Sequence, residues 1–376
     1  MRVTVLGAGR VGSAIIRDLA ADGTFDVTAV DRSAESLAPL TGVPNVTCER
    51  ADLSDGEEID RVVRDADLVV GAVAGHMGYE TVRRVLQAGK NIVDISFFPE
   101  DPFGLDELAR ERGLTAIVDC GVAPGCSNLI LGHMESVLDE TTRFSCFVGG
   151  LPTERRWPYE YRAPFSPIDV IEEYTRPARF RRDGQDVTLP ALTEVERVEI
   201  AGVGTLEAFN TDGLRTLLTT SKAPTMVEKT MRYPGHAALM EVLRETGFFR
   251  TEPTRIGDSM VSPLDVSAKL LFEAWTFQPG EEDLTAMLVE VEGVSGGRSV
   301  RHSFTLLDRY DRASQTTSMA RTTGYTCTAA VRMVAAGLYG RIGISPPEFI
   351  GREPECYDFM MARLGERGVV FEERVS

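Results

Sequence analysis

The sequence predicts an α/β protein in which a doubly wound parallel sheet is combined with an inserted α/β domain. Two observations support this fold class. Over the first 120 residues, short apolar segments alternate with amphipathic helical segments, as in parallel sheets covered by helices on both faces. Beyond Gly121 the strand candidates become longer and more polar, which is typical of mixed or antiparallel sheets with one solvated face. We therefore expect one domain over residues 1–120 and 320–376 and a second over residues 121–319.

The first predicted strand runs directly into a glycine-rich turn and a helix. Apolar residues end at Leu6, and the segment Val11–Leu19 has apolar residues at helical spacing. In such a unit the first glycine permits the turn, the second lets the backbone approach a pyrophosphate, and the third lets helix and strand pack closely. The start of the helix offers free N–H groups to that phosphate. The segment predicts a Rossmann dinucleotide site made by Gly7, Gly9, Arg10, Val11 and Gly12.

The second predicted strand, residues 26–30, ends at an acidic residue that bears on the choice of cofactor. Asp31 has the spacing of the carboxylate that binds the adenosine ribose in such folds. A carboxylate favours a free 2′-hydroxyl and repels a 2′-phosphate, so we expect NAD as the cofactor. Arg32 and Arg50 leave NADP open, because an arginine can accommodate the phosphate. Arg32 could equally stack on the adenine.

Four more strands complete the predicted parallel sheet, at residues 45–50, 66–75, 91–96 and 114–121, with helices near residues 55–65, 78–90 and 105–113. The loop after the fourth strand is expected to pass close to the nicotinamide ribose, since ligands of open α/β sheets gather at the carboxyl ends of strands. Asp94 ends the fifth strand at the same edge and is a candidate ligand of the substrate. The end of the fourth strand and the loop after it contribute Ala72, Val73, Ala74 and Gly75 to the predicted cofactor site.

The second half of the chain has a different pattern of predicted strands and helices. Strands are expected at residues 141–150, 225–233, 283–293 and 299–311, and helices near residues 126–138 and 236–246. A long helical pattern rich in small residues begins near Ser318, and residues 368–373 form a late strand candidate. We expect both to return to the nucleotide domain.

Composition narrows the class of protein. The formal net charge of −17 over 376 residues disfavours general binding to nucleic acid or to an anionic membrane. Six cysteines form no C-x-x-C pair and the four histidines have no metal-ligand spacing beside them, so no metal site is expected. The chain starts at once with a strand and has no apolar run of membrane-spanning length. We expect a reducing, cytoplasmic enzyme whose thiols are core residues.

Six motifs carry a family resemblance. In order they are "VLGAGRVG", "VDIS", "DCGVAPGCSN", "FNTDGLRTL", "KTMRYPGH" and "SMARTTGYT". The chain resembles the saccharopine reductase and lysine 6-dehydrogenase family, and more closely its lysine 6-dehydrogenase branch. The resemblance implies a Rossmann domain with an inserted α/β domain that lines the substrate cleft and usually supports dimerisation. We therefore expect an amino-acid substrate and a homodimer or higher homo-oligomer.

One position departs from the saccharopine reductase pattern. Those enzymes resemble G-x-D-P-G where this chain has Ala123 between Gly121 and Gly125. The resemblance implies that the missing acid helps to hold an aminoadipate-type substrate, so its absence favours a smaller substrate such as lysine. The neighbouring Asp119 could take over the role of the missing acid.

The remaining candidates follow from the chemistry that lysine oxidation at its ε-carbon requires. A substrate carboxylate is best held by a guanidinium, for which Arg215 and Arg232 are the candidates. Arg215 could instead form an ordinary surface ion pair. Pro124 and Gly125 precede a helix whose N–H groups could line the floor of the site, or they form a plain helix-starting turn. Substrate amines need acceptors, and these are Asp94, Asp119, Asn128 and Asn210.

A proton acceptor for the ε-ammonium must lie within hydrogen-bond reach of it. The candidates are Asp119, Lys229 and His236. Lys229 could instead pair with a neighbouring acid or extend to water, and His236 could be an exposed residue at a helix start.

The sequence thus predicts NAD-dependent oxidative deamination of L-lysine at the ε-carbon, giving 2-aminoadipate 6-semialdehyde and ammonia. One alternative is a saccharopine reductase or a related reductase that forms a secondary amine. Another is a regulatory module that senses NAD, although such a module needs no second domain with its own polar motifs.

Overall fold

The computed structural model describes residues 1–163, 167–278 and 280–376. Its strands are β1 (Arg2–Leu6), β2 (Asp26–Asp31), β3 (Val46–Arg50), β4 (Leu68–Gly71), β5 (Ile92–Asp94), β6 (Thr115–Ile117), β7 (Glu140–Pro152), β8 (Ala178–Arg182), β9 (Gln185–Leu189), β10 (Glu196–Ile200), β11 (Gly204–Asn210), β12 (Thr225–Arg232), β13 (Thr254–Ile256), β14 (Ser259–Val261), β15 (Asp283–Ser295), β16 (Arg298–Arg309), β17 (Gly343–Ser345) and β18 (Glu372–Val375).

Helices connect these strands. They are α1 (Arg10–Ala20), α2 (Ala34–Leu37), α3 (Gly56–Val63), α4 (Gly75–Gln87), α5 (Asp106–Glu111), α6 (Cys126–Val137), α7 (Pro167–Thr175), α8 (Leu217–Thr220), α9 (His236–Glu245), α10 (Pro263–Trp275), α11 (Ser318–Ala335), α12 (Pro347–Gly351) and α13 (Pro354–Gly365).

The described chain divides into two compact units. The first comprises residues 1–137 and 320–370, and the second comprises residues 138–319 and 371–376. The boundaries expected from the sequence differ from this division at two places. The sequence predicts residues 121–137 in the second domain and residues 371–376 in the first.

Helix α6 belongs to the first unit because its backbone packs tightly on α12. A side chain at Gly132 would overlap the backbone of Glu348, and one at Gly351 would overlap the carbonyl group of Leu129. Glycine at both positions therefore lets the two helices approach closely. The Asn128 amide adds a hydrogen bond from Nδ2 to Glu348 Oε2 at 3.2 Å.

The last strand belongs to the second unit, against the sequence-based expectation that it returns to the nucleotide domain. Strand β18 pairs antiparallel with β16, with His302 opposite Val375 and Thr305 opposite Glu372. Backbone groups at the edge of β16 thus gain partners from the final residues. The apolar part of the late segment, with Val369 only 1% exposed, is packed in the first unit before the chain crosses to β16.

The first unit is a parallel seven-stranded sheet in the order β17-β6-β5-β4-β1-β2-β3. The chain runs outwards from β1 in both directions, so the strand order reverses between β1 and β4, the point at which doubly wound sheets bind nucleotides. Fully buried apolar residues cover the strands where helices α3, α4 and α5 pack, and these include Ile59, Val69, Val82, Val85 and Ala109. The predicted doubly wound fold is confirmed.

The second unit is a mixed nine-stranded sheet with the path β10-β11-β12-β7-β15-β16-β18, to which β8 and β9 are attached beside β12. Strand β7 pairs parallel with β12 and antiparallel with β15. Helices α7, α9 and α10 form one apolar cluster with Phe209 of β11, which contains Tyr174, Met240, Leu271 and Trp275.

Strand alternation gives this sheet two chemically different faces. We call them the Arg232 face and the Lys229 face. The cross-strand partners on the Arg232 face include Phe144, Cys146, Glu228, Thr230, Val289 and Val291. Those on the Lys229 face include Arg143, Ser145, Phe147, Thr225, Val227, Glu290, Glu292 and Arg301.

The described residues contain neither a membrane-spanning helix nor a cluster of metal ligands. Within the part of the chain that the structure describes, no helix has the length and apolar composition needed to cross a membrane. No group of three or more His, Cys, Asp or Glu residues in the same ranges is arranged to hold a metal ion.

Candidate functional site

The glycine turn of the first unit has the shape that a dinucleotide requires. Gly7 adopts φ +105°, and a side chain there would overlap the carbonyl group of Ala72. A side chain at Gly12 would overlap the carbonyl group of Gly7. By contrast, a Cβ atom at Gly9 would meet no atom within 4 Å. The turn is therefore closed towards the protein and open at Gly9, directly before α1, where a pyrophosphate would bind.

Asp31 lies beside this turn and is held in place by the backbone. The Ala8 N–H donates to Oδ2 and the Ser33 N–H donates to Oδ1, both at 2.8 Å. Each oxygen keeps a lone pair for a ribose hydroxyl. Arg32 and Arg50 are exposed, and the Arg32 carbonyl accepts a hydrogen bond from Arg50 Nε at 2.9 Å. The carboxylate and the two arginines thus occupy the same end of the sheet.

The loop after β4 runs next to the glycine turn. The Ala72 N–H donates to the Leu6 carbonyl at 2.8 Å, which continues the pairing of β1 with β4 beyond the strands. Val73 packs against the apolar core, and Ala74 immediately precedes α4, which begins at Gly75. This loop and the turn before Arg10 and Val11 therefore share the carboxyl edge of the sheet, as the sequence predicts for a cofactor site.

Asp94 ends β5 as a fully buried carboxylate. It accepts hydrogen bonds from the Ser96 N–H at 2.9 Å and from the Ser96 hydroxyl at 3.1 Å. A side chain at Gly71 would overlap Asp94 Oδ1, so the carboxylate also fixes the distance between β4 and β5. A role for Asp94 in substrate binding stays a prediction.

The loop that joins β6 to α6 is compact. The Gly121 N–H donates to the Pro124 carbonyl at 3.1 Å, and Gly125 adopts φ +142° against the Gly121 backbone. Ala123 and Pro124 are partly exposed, whereas Asp119 before the loop is 1% exposed and has φ +52°. Position 123, where the saccharopine reductase pattern has an acid, is thus an accessible part of this loop.

Asn128 supports the loop and has no free amide group for a substrate amine. Its Oδ1 accepts hydrogen bonds from the Gly125 N–H at 3.3 Å and the Ser127 hydroxyl at 3.1 Å, while Nδ2 donates to Glu348. The side chain is fully buried. The prediction that Asn128 contacts substrate is therefore corrected: its amide is consumed in holding Gly125 at the start of α6.

In the second unit, Arg232 lies within a buried network. Its Nη2 donates to Glu173 Oε2 at 2.7 Å and its Nε donates to the Tyr174 hydroxyl at 3.3 Å. The guanidinium also lies 4.5 Å from the ring centroid of Tyr161, within cation–π distance. Arg232 is only 3% exposed. It is therefore an internal cation neutralised by Glu173, which corrects the prediction that it could hold a substrate carboxylate.

His236 belongs to the same network and is corrected as a candidate base. Both ring nitrogens have partners at 2.9 Å: Nε2 with the Tyr174 hydroxyl and Nδ1 with the Tyr159 carbonyl. Burial, reinforced by the positive charge of Arg232, lowers the pKa of His236 to about 3. The imidazole is thus neutral and structurally engaged, because a charged ring would be desolvated beside a guanidinium.

Arg215 lies in a loop that packs against the Arg232 face. The Thr211 hydroxyl lies 3.0 Å from the Thr230 hydroxyl, and the Gly213 backbone lies against the Glu228 carboxylate. Asp212 is fixed by two parallel hydrogen bonds of 2.8 Å from Arg179. Arg215 itself is 7% exposed and adopts φ +52°. A buried guanidinium on a fixed loop is compatible with carboxylate binding, which stays a prediction.

Lys229 lies on the opposite face of the sheet from Arg232. Its ammonium group donates to Glu196 Oε1 at 2.6 Å and to the Glu194 carbonyl at 2.7 Å. Asn210, its cross-strand partner, donates from Nδ2 to Glu194 Oε2 at 3.1 Å. The structure therefore does not bring Lys229 and Asn210 together with Arg232 and His236. The ion pair that the sequence analysis left open is what the structure shows for Lys229.

Several residues of these networks escape recognition in the sequence. Glu173 and Tyr174 contact Arg232 across 59 and 58 residues, and Arg179 reaches Asp212 across 33 residues. An alternating pattern around Arg179 could have placed it on a strand. No local pattern predicts that Arg179 contacts Asp212, because this contact depends on how strands that are distant in sequence pair.

Comparison with known proteins identifies the family. The model of the saccharopine dehydrogenase NADP binding domain matches residues 3–117, and that of the saccharopine dehydrogenase C-terminal domain matches residues 121–369. The chain belongs to the saccharopine dehydrogenase family. It is accordingly an oxidoreductase of this family with an NAD(P)-binding domain, which confirms the predicted enzyme over the alternative of a regulatory module that senses NAD.

Related proteins share low sequence identity with the chain. It is 23% identical to a saccharopine dehydrogenase [NADP(+), L-glutamate-forming] of Pyricularia oryzae, with 99% of this chain and 98% of the relative covered. The Saccharomyces cerevisiae enzyme of the same description is 22% identical with the same coverage. An alpha-aminoadipic semialdehyde synthase of Arabidopsis thaliana is 24% identical over 58% of this chain, which corresponds to 22% of that relative's length.

The fold is shared with a solved member of the saccharopine dehydrogenase family. The apo L-glutamate-forming saccharopine dehydrogenase of Saccharomyces cerevisiae superposes with a TM-score of 0.80 and 19% sequence identity. The match covers 100% of this chain and 99% of that one. The two-part architecture is therefore that of the family.

Proposed function

We propose that the protein catalyses the NAD-dependent oxidative deamination of L-lysine at its ε-carbon. The observation that carries this proposal is Ala123. It lies on the partly exposed part of the 121–125 loop, where the saccharopine reductase pattern has an acid. A methyl group there removes one binding partner of a substrate with an additional charged branch, and favours a substrate that ends in a simple amine.

The first unit supports NAD binding through the open backbone at Gly9 and the carboxylate of Asp31. When bound, the nicotinamide would accept a hydride from the substrate carbon. Asp31 is oriented by two backbone N–H groups, so both its oxygens can accept from ribose hydroxyls and its charge opposes a 2′-phosphate. Arg32 and Arg50 are the groups that would favour NADP, the cofactor in the descriptions of the Pyricularia and yeast relatives.

Substrate recognition in this proposal rests on Arg215 and Asp119. The Arg215 guanidinium would hold the α-carboxylate by charge-assisted hydrogen bonds. Asp119 would accept the proton that the ε-ammonium must lose before its C–H bond can donate a hydride. Water then adds to the imine carbon, the C–N bond breaks, and ammonia leaves the semialdehyde. In balance, lysine, NAD⁺ and water give the semialdehyde, ammonium, NADH and a proton.

A second candidate is the saccharopine dehydrogenase reaction itself. It is favoured by the two fungal relatives described as L-glutamate-forming, which match almost the whole chain. In this alternative Asp119 would take the place of the acid missing at position 123.

A substrate panel separates the two candidates. Reduction of NAD⁺ and NADP⁺ is measured at alkaline pH with L-lysine, saccharopine and other amines and amino acids. The proposal requires L-lysine to support the largest kcat/KM. A chain that ignores lysine but oxidises saccharopine contradicts it and supports the second candidate.

A further inference from the structure

The Lys229 face of the second unit contains a cavity that the reaction proposed above does not use. Its volume is about 580 Å³, within the usual range for small-molecule sites. Its lining residues all belong to the second unit and come from strands β7, β8, β10, β12, β15 and β16, from the turn after β8 and from the loop before β10. Arg232 lies on the other face of the same sheet.

Two polar residues on β7, Ser145 and Arg143, line this cavity. Ser145 is only 3% exposed, and no hydrogen bond joins its hydroxyl group to another residue in the described ranges. Arg143 lies two residues earlier on the same face and forms no ion pair within those ranges. A hydroxyl group that faces a cavity can bond to a ligand there as donor or acceptor. Together these groups form a donor pair suited to a carboxylate.

An acceptor lies directly beside these donors. Glu290 on β15 is the cross-strand partner of Ser145, and its carboxylate is 3.7 Å from the nearest Arg301 nitrogen, beyond hydrogen-bond distance. Arg301 instead donates to Glu292 with Nε at 3.0 Å. Glu290 thus forms an ion pair with Arg301 without a hydrogen bond, and its oxygens keep lone pairs that could accept from an ammonium group. Donors for a carboxylate beside an acceptor for an ammonium match the head of an α-amino acid.

The cavity continues along the strands from this point. Val227 is the cross-strand partner of Ser145, and the next pair on this face is Phe147 with Lys229, whose ammonium group has Glu194 and Glu196 around it. Lys229 uses two of its three N–H donors on these neighbours. The aliphatic side chain of a bound amino acid would therefore lie against apolar residues and end among charged groups.

We propose that this cavity is a second binding site, for an L-α-amino acid with a long polar side chain. The α-carboxylate binds Arg143 and Ser145, and the α-ammonium binds Glu290. The side chain lies along Val227 and Phe147 and ends beside Lys229. The site shares no residue with those assigned above to cofactor or substrate. The binding experiment below distinguishes a side chain that ends in an amine from one that ends in a carboxylate.

The test is isothermal titration calorimetry of the full chain without nucleotide. The probes are L-lysine and L-2-aminoadipate, which differ in the charge at the end of the side chain, and L-norleucine, which has no end charge. Arg143→Ala is expected to weaken binding of the preferred probe about tenfold or more, since it removes a charge-assisted pair. Glu290→Gln and Ser145→Ala should weaken it as well, while kcat and KM for the reaction stay unchanged.

Arg298→Ala is the matched control, because Arg298 is an exposed arginine of the same sheet outside the cavity. It should bind the probe like the wild type. The proposal is overturned if neither charged probe binds, or if every binding event persists unchanged in all three cavity variants. It is also overturned if Arg143→Ala changes KM in parallel with the loss of binding, since the cavity would then be the substrate site.

Discussion

At the scale of single residues, Asp31 is the group that decides the cofactor. Replacing it with alanine removes the charge that opposes a 2′-phosphate and leaves Arg32 and Arg50 in place. We expect Asp31→Ala to relax the preference for NAD over NADP, measured as the ratio of the two kcat/KM values. A wild-type enzyme that already prefers NADP would show that the arginines dominate.

Arg215 is the residue on which the assignment of the substrate carboxylate depends. Arg215→Ala removes a charge-assisted fork, typically about 1.5–3 kcal/mol, so KM for lysine should rise by roughly one to two powers of ten. Affinity for NAD should not change, and Arg215→Lys should restore part of the loss. Arg298→Ala serves as the control for removal of an arginine. Unchanged lysine kinetics in Arg215→Ala would remove Arg215 from the site.

His236 gives a prediction about pH. Its pKa is lowered to about 3, so below the ordinary value near 6.5 the unfolded chain binds a proton that the folded chain excludes. Stability therefore falls as the pH drops, by about 2 kcal/mol between pH 7 and pH 5. The imidazole NMR signals should stay constant over this interval. Titration near pH 6.5 would show that the ring is exposed and would reopen its role as a base.

At the scale of elements, the Arg179–Asp212 pair is what fixes the loop that carries Arg215. Arg179→Ala should loosen that loop and raise KM for the amino acid several-fold, with a smaller effect on kcat and none on NAD affinity. Arg179→Lys should recover only part, because a lysine cannot form both parallel bonds. A fall in kcat alone would mean that Arg179 does not act through the loop.

The sequence predicts some elements well and others not at all. β1, α1 and β2 could be predicted from the periodicity of their apolar residues and from the glycines of the turn, each of which meets a specific steric requirement. β17 was missed because three residues carry no periodic signal, and the polar strands β8–β11 lack a clear apolar pattern. The helices α7 and α10 have apolar residues at helical spacing, but each begins at a proline, which is also a signal for a loop. Among the site residues, those of the cofactor turn could be predicted from the sequence because they lie next to one another in the chain. Arg232, His236 and Lys229 were misplaced because their partners are distant in sequence and because strand alternation separates neighbouring motifs.

At the scale of the whole molecule, the family and the fold are those of saccharopine dehydrogenases, and the substrate is the point at which this chain is proposed to differ. Both candidate reactions oxidise a C–N bond and both hydrolyse an imine. They differ in the amine that leaves: ammonia from lysine, or an amino acid from a secondary amine. The leaving amine therefore tests the central claim directly.

The decisive measurement is the ammonium released per nicotinamide reduced, with L-lysine as the substrate. The proposal predicts one ammonium for each NADH, and in the reverse direction NADH oxidation that requires ammonia together with the semialdehyde. Release of an amino acid from saccharopine, without ammonium formation from lysine, would contradict the proposal.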